Sequence, residues 1–205
     1  MRRLAIVAAW LAVGASAPPV VDIAIRGGTL YDGSTRRAVV GDVEIVGGRI
    51  AYVGPPRRTP ARRVINAQGL VVAPGFIDAH THPDSYIRSP DPAARANAPW
   101  LAQGVSTIVV GVDGYGSPDV ARDMKSVVAR GVGTNMVPFV GFGAVRGRVL
   151  GAAARAPDAI EMGRMRALVA GAMCDGASGF STGLFYAPQS YATTEEVIAL
   201  AREVG

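Results

Sequence analysis

The sequence predicts an α/β protein in which a small β-sandwich segment precedes the N-terminal part of a (β/α)8 TIM-type barrel of about four β/α units. Three observations lead to this fold class. Residues 21–55 consist of short apolar runs separated by glycines. From Phe76 onward, strand-like and helix-like stretches alternate, which is typical of a parallel sheet. A complete barrel commonly needs about 250 residues, so we expect the stretch from Phe76 to Gly205 to supply only its first half.

The composition is that of a folded domain and gives little support to nucleic-acid binding. The chain has 205 residues, of which 49% are hydrophobic and 18% charged, so a sizeable core is possible. The formal net charge is +5. The basic residues are almost all arginines and are scattered, without the cluster that a nucleic-acid surface requires.

Residues 1–17 are predicted to be a signal peptide. Positive charge at Arg2 and Arg3 precedes an apolar stretch over residues 4–14, and Ala15-Ser16-Ala17 provides small residues for cleavage. The apolar stretch is about half of the ~20 residues that cross a bilayer. We therefore expect a periplasmic or secreted protein with no stable membrane anchor after cleavage.

Residues 18–70 are predicted to form the β-sandwich segment. Its apolar runs alternate with glycine pairs, and Gly47-Gly48 is expected to join two strands as a tight hairpin. A module of three or four strands is too small to hold a core alone.

Residues 71–205 are predicted to form the first half of the barrel of a metal-dependent hydrolase. Strands are expected to begin near Phe76, Val105, Asn135 and Ser178, with helices over Asp91–Gln103, Pro118–Arg130, Asp158–Met173 and Thr194–Val204. Ser117 is a candidate N-cap, and Thr193 with Glu196 forms a candidate capping box. Half a barrel leaves sheet edges open, so we expect the chain to be a truncated piece of a larger enzyme.

The two histidines of the chain, His80 and His82, lie two positions apart. On an extended strand, residues i and i+2 project from the same face, so both imidazoles can converge on one divalent metal ion. Asp78 precedes them on that face. It either orients an imidazole or forms a hydrogen bond at the floor of the barrel.

Three segments together resemble the amidohydrolase superfamily, and in particular its branch of D-aminoacylases (N-acyl-D-amino-acid deacylases). The first is the strand signature Ile65-Asn66-Ala67-Gln68-Gly69 followed by residues 71–78 and His80-Thr81-His82; the others are residues 103–111 and 179–188. The resemblance implies one or two divalent ions, most simply zinc. It also implies hydrolysis of a linear amide, an N-acyl-D-amino acid giving a D-amino acid and a carboxylate, by metal-activated water.

The resemblance also suggests site residues and alternatives. Asp113 stands where D-aminoacylases typically have a metal-binding cysteine, so it is either a metal ligand or an Asp-Gly turn residue. Arg146 and Tyr186 are candidates for substrate binding, with carbonyl contacts and simple packing as their respective alternatives. Phe142 replaces a histidine common in relatives.

Further metal ligands and a catalytic aspartate would come from later strands in relatives, so no catalytic residue is assigned within this chain, and we expect it to be inactive alone. Other possibilities are a cyclic amide or dipeptide substrate, or a degenerate periplasmic binding protein without catalysis. The single cysteine, Cys174, is expected to be buried at a helix end.

Overall fold

The computed structural model describes residues 20–205, and the predicted signal peptide over residues 1–17 lies outside the described residues. The pattern of contacts between Cα atoms divides the chain into two compact units, with the boundary in the sequence between Pro74 and Gly75. Within residues 20–205, none of the helices combines the length and apolar character that a membrane crossing needs. The predicted α/β class is confirmed, because both units contain sheets and the second contains all of the α-helices described.

The first unit is a five-stranded sheet. Its strands are β1 (Val21–Leu30), β2 (Val39–Val46), β3 (Arg49–Gly54), β4 (Ala61–Asn66) and β5 (Val71–Val72). The order is β3-β2-β1-β4, and β5 also pairs with β1. The β1–β2 and β2–β3 pairs are antiparallel, whereas β4 and β5 run parallel to β1. Gly47 and Gly48 join β2 to β3 with positive φ angles of 57° and 73°, as a tight hairpin requires.

A buried charge cluster links β1 and β2 to the segment after β3. The Asp42 and Glu44 carboxylates are almost completely buried, and Arg26 donates to both, at 2.8 and 2.9 Å. Arg57 also pairs with Glu44, and this contact lowers the pKa of the Glu44 carboxyl even though burial opposes the shift. Because both buried carboxylates of this cluster have a cationic partner, their charges are compensated within the fold.

The second unit contains two parallel sheets. Strands β6 (Phe76–Asp78), β7 (Val105–Val110) and β8 (Asn135–Pro138) form one sheet in the order β6-β7-β8, and β9 (Val140–Gly141) pairs with β10 (Phe180–Ser181) in the other. All of these pairings are parallel, so the strand ends that carry site residues point to one edge of each sheet.

Seven α-helices belong to the second unit: α1 (Asp84–Ile87), α2 (Pro92–Arg95), α3 (Ala98–Leu101), α4 (Val120–Arg130), α5 (Phe142–Leu150), α6 (Ala159–Cys174) and α7 (Thr194–Ala201). A 3₁₀ helix covers Gln189–Tyr191. The larger of two cores packs α5, α6 and α7 around Val140, Phe142, Val145, Met165, Val169 and Leu200. The smaller one joins Ile108 and Val110 of β7 to Ile87 and Val127.

The helix predicted over Asp91–Gln103 is wrong, because two short helices replace it. Asn97 lies between them in the left-handed region, with φ of 52°. Pro99 follows in the first turn of α3, where it lacks an N–H and its ring would clash with the preceding turn of a continuous helix. The Asn97 side chain is buried and donates to Thr134 Oγ1 at 2.8 Å, which stabilises the break.

Helix starts also differ in part from the predictions. Helix α4 begins at Val120 after Asp119, whose two oxygens bind Arg148 and are not free to cap the helix. Ser117 instead accepts from the Asp119 N–H, so the predicted Ser117 cap is shifted by two residues. Thr193 does cap α7 by accepting from the Glu196 N–H, but the Glu196 carboxylate binds Arg146, so only half of the predicted capping box forms.

The longest helix of the second unit, α6, begins with a complete capping box. Asp158 accepts from the Glu161 N–H and the Glu161 carboxylate accepts from the Asp158 N–H. The pKa of Glu161 falls to about 2, chiefly because Arg155 donates to its carboxylate. The same helix ends at Cys174, which is exposed, so the expected burial of this thiol is wrong.

Candidate metal centre

The two histidines lie just beyond the carboxyl end of β6, where the strand has stopped at Asp78. Between them, Thr81 is buried and its hydroxyl donates to the Val109 carbonyl of β7. This contact ties the histidine segment to the neighbouring strand and leaves both imidazoles more than half exposed. Asp78 accepts from the His80 backbone N–H at 3.2 Å, so it fixes the main chain at the first histidine.

Asp113 reaches the same point from the loop that follows β7. Its Oδ2 atom lies 3.4 Å from His80 Nε2 and 3.1 Å from His82 Nε2. The imidazole rings are 5.4 Å apart at an interplanar angle of 64°. The sequence left open whether Asp113 is a ligand or a turn residue, and the structure places its carboxylate against both histidines.

The donor set of this cluster fits a divalent metal ion. Two imidazole nitrogens and one carboxylate oxygen lie within 4.8 Å of one another, and they are the only such group of three or more among residues 20–205. Imidazole nitrogen and carboxylate oxygen are common zinc ligands, and three protein ligands with an open side are typical of catalytic zinc sites. His80, His82 and Asp113 would therefore hold the ion, and their partial exposure leaves room for further ligands.

Two residues that the sequence reasoning did not assign to the site hold the Asp113 loop. Ser181, at the end of β10, donates through Oγ to the Gly111 carbonyl at 2.6 Å and accepts from the Gly114 N–H at 3.0 Å. Gln189 donates to the Asp113 carbonyl at 2.9 Å. Both lie about 70 residues further along the chain; Ser181 falls within the segment 179–188 that resembles the D-aminoacylases, and Gln189 directly follows it.

Tyr186 lies next to the Asp113 loop. Gly183 lies between them, and the space there admits no side chain. A Cβ atom at Gly183 would come within 2.5 Å of the Asp113 carbonyl oxygen and 3.0 Å of Tyr186 Cδ2. The Tyr186 ring also contacts the rings of Tyr115 and Phe185, with centroids 5.6 and 5.5 Å apart. Tyr186 is 42% exposed, so part of the residue is accessible from solvent beside the backbone of the Asp113 loop.

Arg146 is a buried structural residue in this structure, which corrects the prediction that it binds substrate. It lies within α5, not in a loop, and its side chain is completely buried. The guanidinium donates to Glu196 Oε1 at 3.0 Å and to the Ala153 and Arg155 carbonyls at 3.0 and 2.7 Å. Each of the three guanidinium nitrogens therefore donates to an acceptor within the protein. Phe142, at the start of the same helix, is also fully buried, against Phe180.

Comparisons with known proteins show which family the chain resembles. Residues 63–204 match the model of the amidohydrolase family. N-acyl-D-aspartate deacylase of Alcaligenes xylosoxydans xylosoxydans is 36% identical over 205 residues, which cover 89% of this chain and 40% of that protein. The resemblance to D-aminoacylases seen in the sequence is thereby confirmed.

Two solved structures are similar over most of the chain. N-acyl-D-glutamate deacylase from Bordetella bronchiseptica, in complex with zinc and a phosphonate inhibitor, has a TM-score of 0.80 and 31% identity, covering 90% of this chain and 43% of that one. A D-aminoacylase with a binuclear metal centre has a TM-score of 0.77 and 34% identity, with the same coverage. The chain thus spans about 40% of the length of its relatives. Because the family model matches more than half of its residues, the chain belongs to the amidohydrolase family.

Proposed function

We propose that this chain provides the N-terminal part of the (β/α)8 barrel of a metal-dependent hydrolase that cleaves the amide of N-acyl-D-amino acids to a D-amino acid and a carboxylate. The first unit, which ends at Pro74, would correspond to the small β-sandwich segment predicted over residues 18–70, and the second unit to the first β/α units predicted over residues 71–205. The convergence of His80, His82 and Asp113 carries the proposal. The relatives that act on N-acyl-D-aspartate and N-acyl-D-glutamate support the substrate class.

Each residue of the cluster has a defined task in this proposal. His80 and His82 present their Nε2 atoms, and Asp113 presents a carboxylate whose negative charge complements a cation. One or two divalent ions, zinc by preference, would lower the pKa of water and polarise the scissile carbonyl when bound. Tyr186 would donate a hydrogen bond from its phenol to the substrate carboxylate, because it is partly exposed and its ring lies next to the loop that carries Asp113.

Zinc titration of the 205-residue chain tests the metal site. We expect His80→Ala, His82→Ala and Asp113→Ala each to weaken zinc binding by about 10-fold or more, since each removes a ligand. Asp123→Asn is the matched control. Its carboxylate is 18% exposed against 24% for Asp113, and it lies outside the cluster. Unchanged zinc affinity in the three ligand variants would rule out the site.

Hydrolysis assays test the substrate class. N-acetyl derivatives of D-aspartate, D-glutamate and D-leucine would be compared with their L-enantiomers, a cyclic amide and a dipeptide. We expect no turnover by the chain alone, and turnover of the D-derivatives when the residues of a full-length relative beyond the matched region are joined to it. Preference for the cyclic amide or dipeptide would change the substrate assignment. Metal binding by the joined protein without any turnover would favour a degenerate binding protein.

Export is a separate part of the proposal, supported by the charge and apolar pattern of residues 1–17. A reporter that is active only outside the cytoplasm, fused after residue 20, would be expected to show activity. Arg2→Glu with Arg3→Glu should reduce that activity, because the positive charge before the apolar stretch is removed. Retention of the reporter in the cytoplasm would contradict a periplasmic or secreted location.

A further inference from the structure

The loop that carries Asp113 has the carbonyl groups of all four residues from Gly111 to Gly114 engaged in hydrogen bonds. The Gly111 carbonyl accepts from the Gly116 N–H and from Ser181, and the Val112 carbonyl accepts from the Tyr115 N–H. The Gly114 carbonyl accepts from the Ala144 N–H. Asp113 itself is in the left-handed region with φ of 54°. Such a conformation is uncommon for a residue with a Cβ and persists where the surroundings fix it.

Gln189 supplies the hydrogen bond that engages the Asp113 carbonyl. Its Nε2 donates to that carbonyl at 2.9 Å, while its Oε1 accepts from the Gly183 N–H at 2.8 Å. The side chain is 1% exposed, so both contacts are shielded from water. A single amide group thus links the loop after β7 to the loop after β10.

Glycines leave the space in which this side chain lies. A Cβ atom at Gly114 would come within 2.1 Å of Gln189 Oε1, and one at Gly143 within 2.7 Å of its Nε2. Alanine at either position would therefore displace the amide. The space beside Gly114 and Gly143 fits a planar group that carries one hydrogen-bond donor and one acceptor, as the glutamine amide does.

We propose that Gln189 is a positioning residue for the metal centre: by holding the main chain of Asp113, it aims the carboxylate at the point where His80 and His82 converge. This inference rests on the proposed role of Asp113 as a metal ligand. Gln189 would not contact the metal or the substrate, because both ends of its amide bind main chain. Partners of this kind typically change metal affinity by about 10 to 100-fold.

A double-mutant cycle with zinc as the probe separates positioning from a general effect on folding. The variants are Gln189→Met, which keeps the length but removes both hydrogen bonds, Asp113→Ala, and the pair, all in the 205-residue chain. We expect Gln189→Met to weaken zinc binding by about 10-fold or more in the parent, and by less than about twofold when Asp113 is already alanine. Circular dichroism confirms that each variant is folded.

Gln189→Glu provides a second route if the methionine variant does not fold. Glutamate keeps an acceptor for the Gly183 N–H but cannot donate to the Asp113 carbonyl when ionised. Zinc binding should weaken as in Gln189→Met, and Gly147→Ala, where a Cβ atom meets nothing within 4 Å, should leave it unchanged.

The outcomes distinguish this inference from the proposed function. If Asp113→Ala weakens zinc binding and the Gln189 variants do not, the positioning role is wrong and the ligand assignment stands. Equal loss from Gln189→Met with and without Asp113 would also overturn positioning. If Asp113→Ala leaves zinc affinity unchanged, both the ligand role and the inference fail.

Discussion

Replacement of Arg146 by methionine tests the conclusion that this residue stabilises the fold instead of binding substrate. Methionine keeps most of the apolar length of the side chain and removes the charge and all five N–H donors. In the structure three of those donors bind the Glu196 carboxylate and the carbonyls of Ala153 and Arg155. The change therefore leaves three acceptors without their donor, one on α7 and two in the segment that follows α5.

The magnitude follows from how well each acceptor can be hydrated afterwards. The bonds to the two carbonyls are partly buried, so water can replace the guanidinium there and the cost is about 1 kcal/mol. The Glu196 carboxylate is 2% exposed, and its Oε2 has no hydrogen-bond partner in the described structure. Breaking a buried ion pair from one side costs about 3–5 kcal/mol. We expect a total loss of about 4–6 kcal/mol, a large part of the 5–15 kcal/mol that typically separates folded and unfolded states.

The destabilisation caused by Arg146→Met should depend on pH. Burial raises the pKa of the Glu196 carboxyl, and Arg146 opposes the shift. Without Arg146 the pKa of Glu196 rises further. The protonated carboxyl is tolerated in the buried site, so the fold is more stable at low pH and loses this stability as the pH rises through the pKa of folded Glu196. The deficit of Arg146→Met should therefore be smaller at about pH 5 than at about pH 7.5.

Urea denaturation followed by circular dichroism measures the free energy of unfolding, and hydrogen exchange of the α5 and α7 amides assigns the transition to the second unit. Arg148→Met is the matched control, because Arg148 lies on the same helix but is 44% exposed and pairs with Asp119 at the surface. Its loss should stay below about 1 kcal/mol. Equal small losses for both variants, or a deficit that does not change with pH, would refute the structural role of Arg146.

Two further predictions concern the sheet of the first unit and the metal loop. Glu44→Gln should flatten the fall of Tm below about pH 4. The pKa of Glu44 is lowered in the folded state, so its stabilisation is present above the unfolded pKa and lost as the pH falls through the folded pKa. Thermal melts at a series of pH values measure this effect, and an unchanged slope of Tm against pH would contradict it. Gly183→Ala should weaken zinc binding, because the new Cβ atom would lie 2.5 Å from the Asp113 carbonyl oxygen. Calorimetric titration measures the zinc affinity. An affinity equal to the parent's would show that the loop can shift without moving the Asp113 carboxylate.

The sequence predicted the parts of the site that depend on local spacing. The histidine pair and Asp113 both follow strands, and parallel strands end at a common edge of the sheet, so their convergence could be expected. The hairpin at Gly47-Gly48 was equally readable, because only positive φ angles fit that turn.

The parts that depend on tertiary packing could not be read from the sequence. Helix α5 contains Gly143 and Gly147, which disfavour a helix, so its residues looked like a loop and Arg146 like a surface side chain. Packing of Phe142 and Val145 in the larger core overrides that local preference. The contact from Gln189 to Asp113 spans 76 positions and depends on a glycine-lined slot that no periodicity reveals.

The left-handed conformation of Asp113 limits which residues evolution can place there. Aspartate, asparagine and glycine tolerate this backbone geometry, whereas most other side chains incur about 1–2 kcal/mol. Of the tolerated three, only aspartate offers an anionic oxygen. Variation at this position should therefore be narrow among chains that share the loop geometry. A replacement ligand such as cysteine would be expected together with changes at Gly114 or Gln189 that relax the backbone.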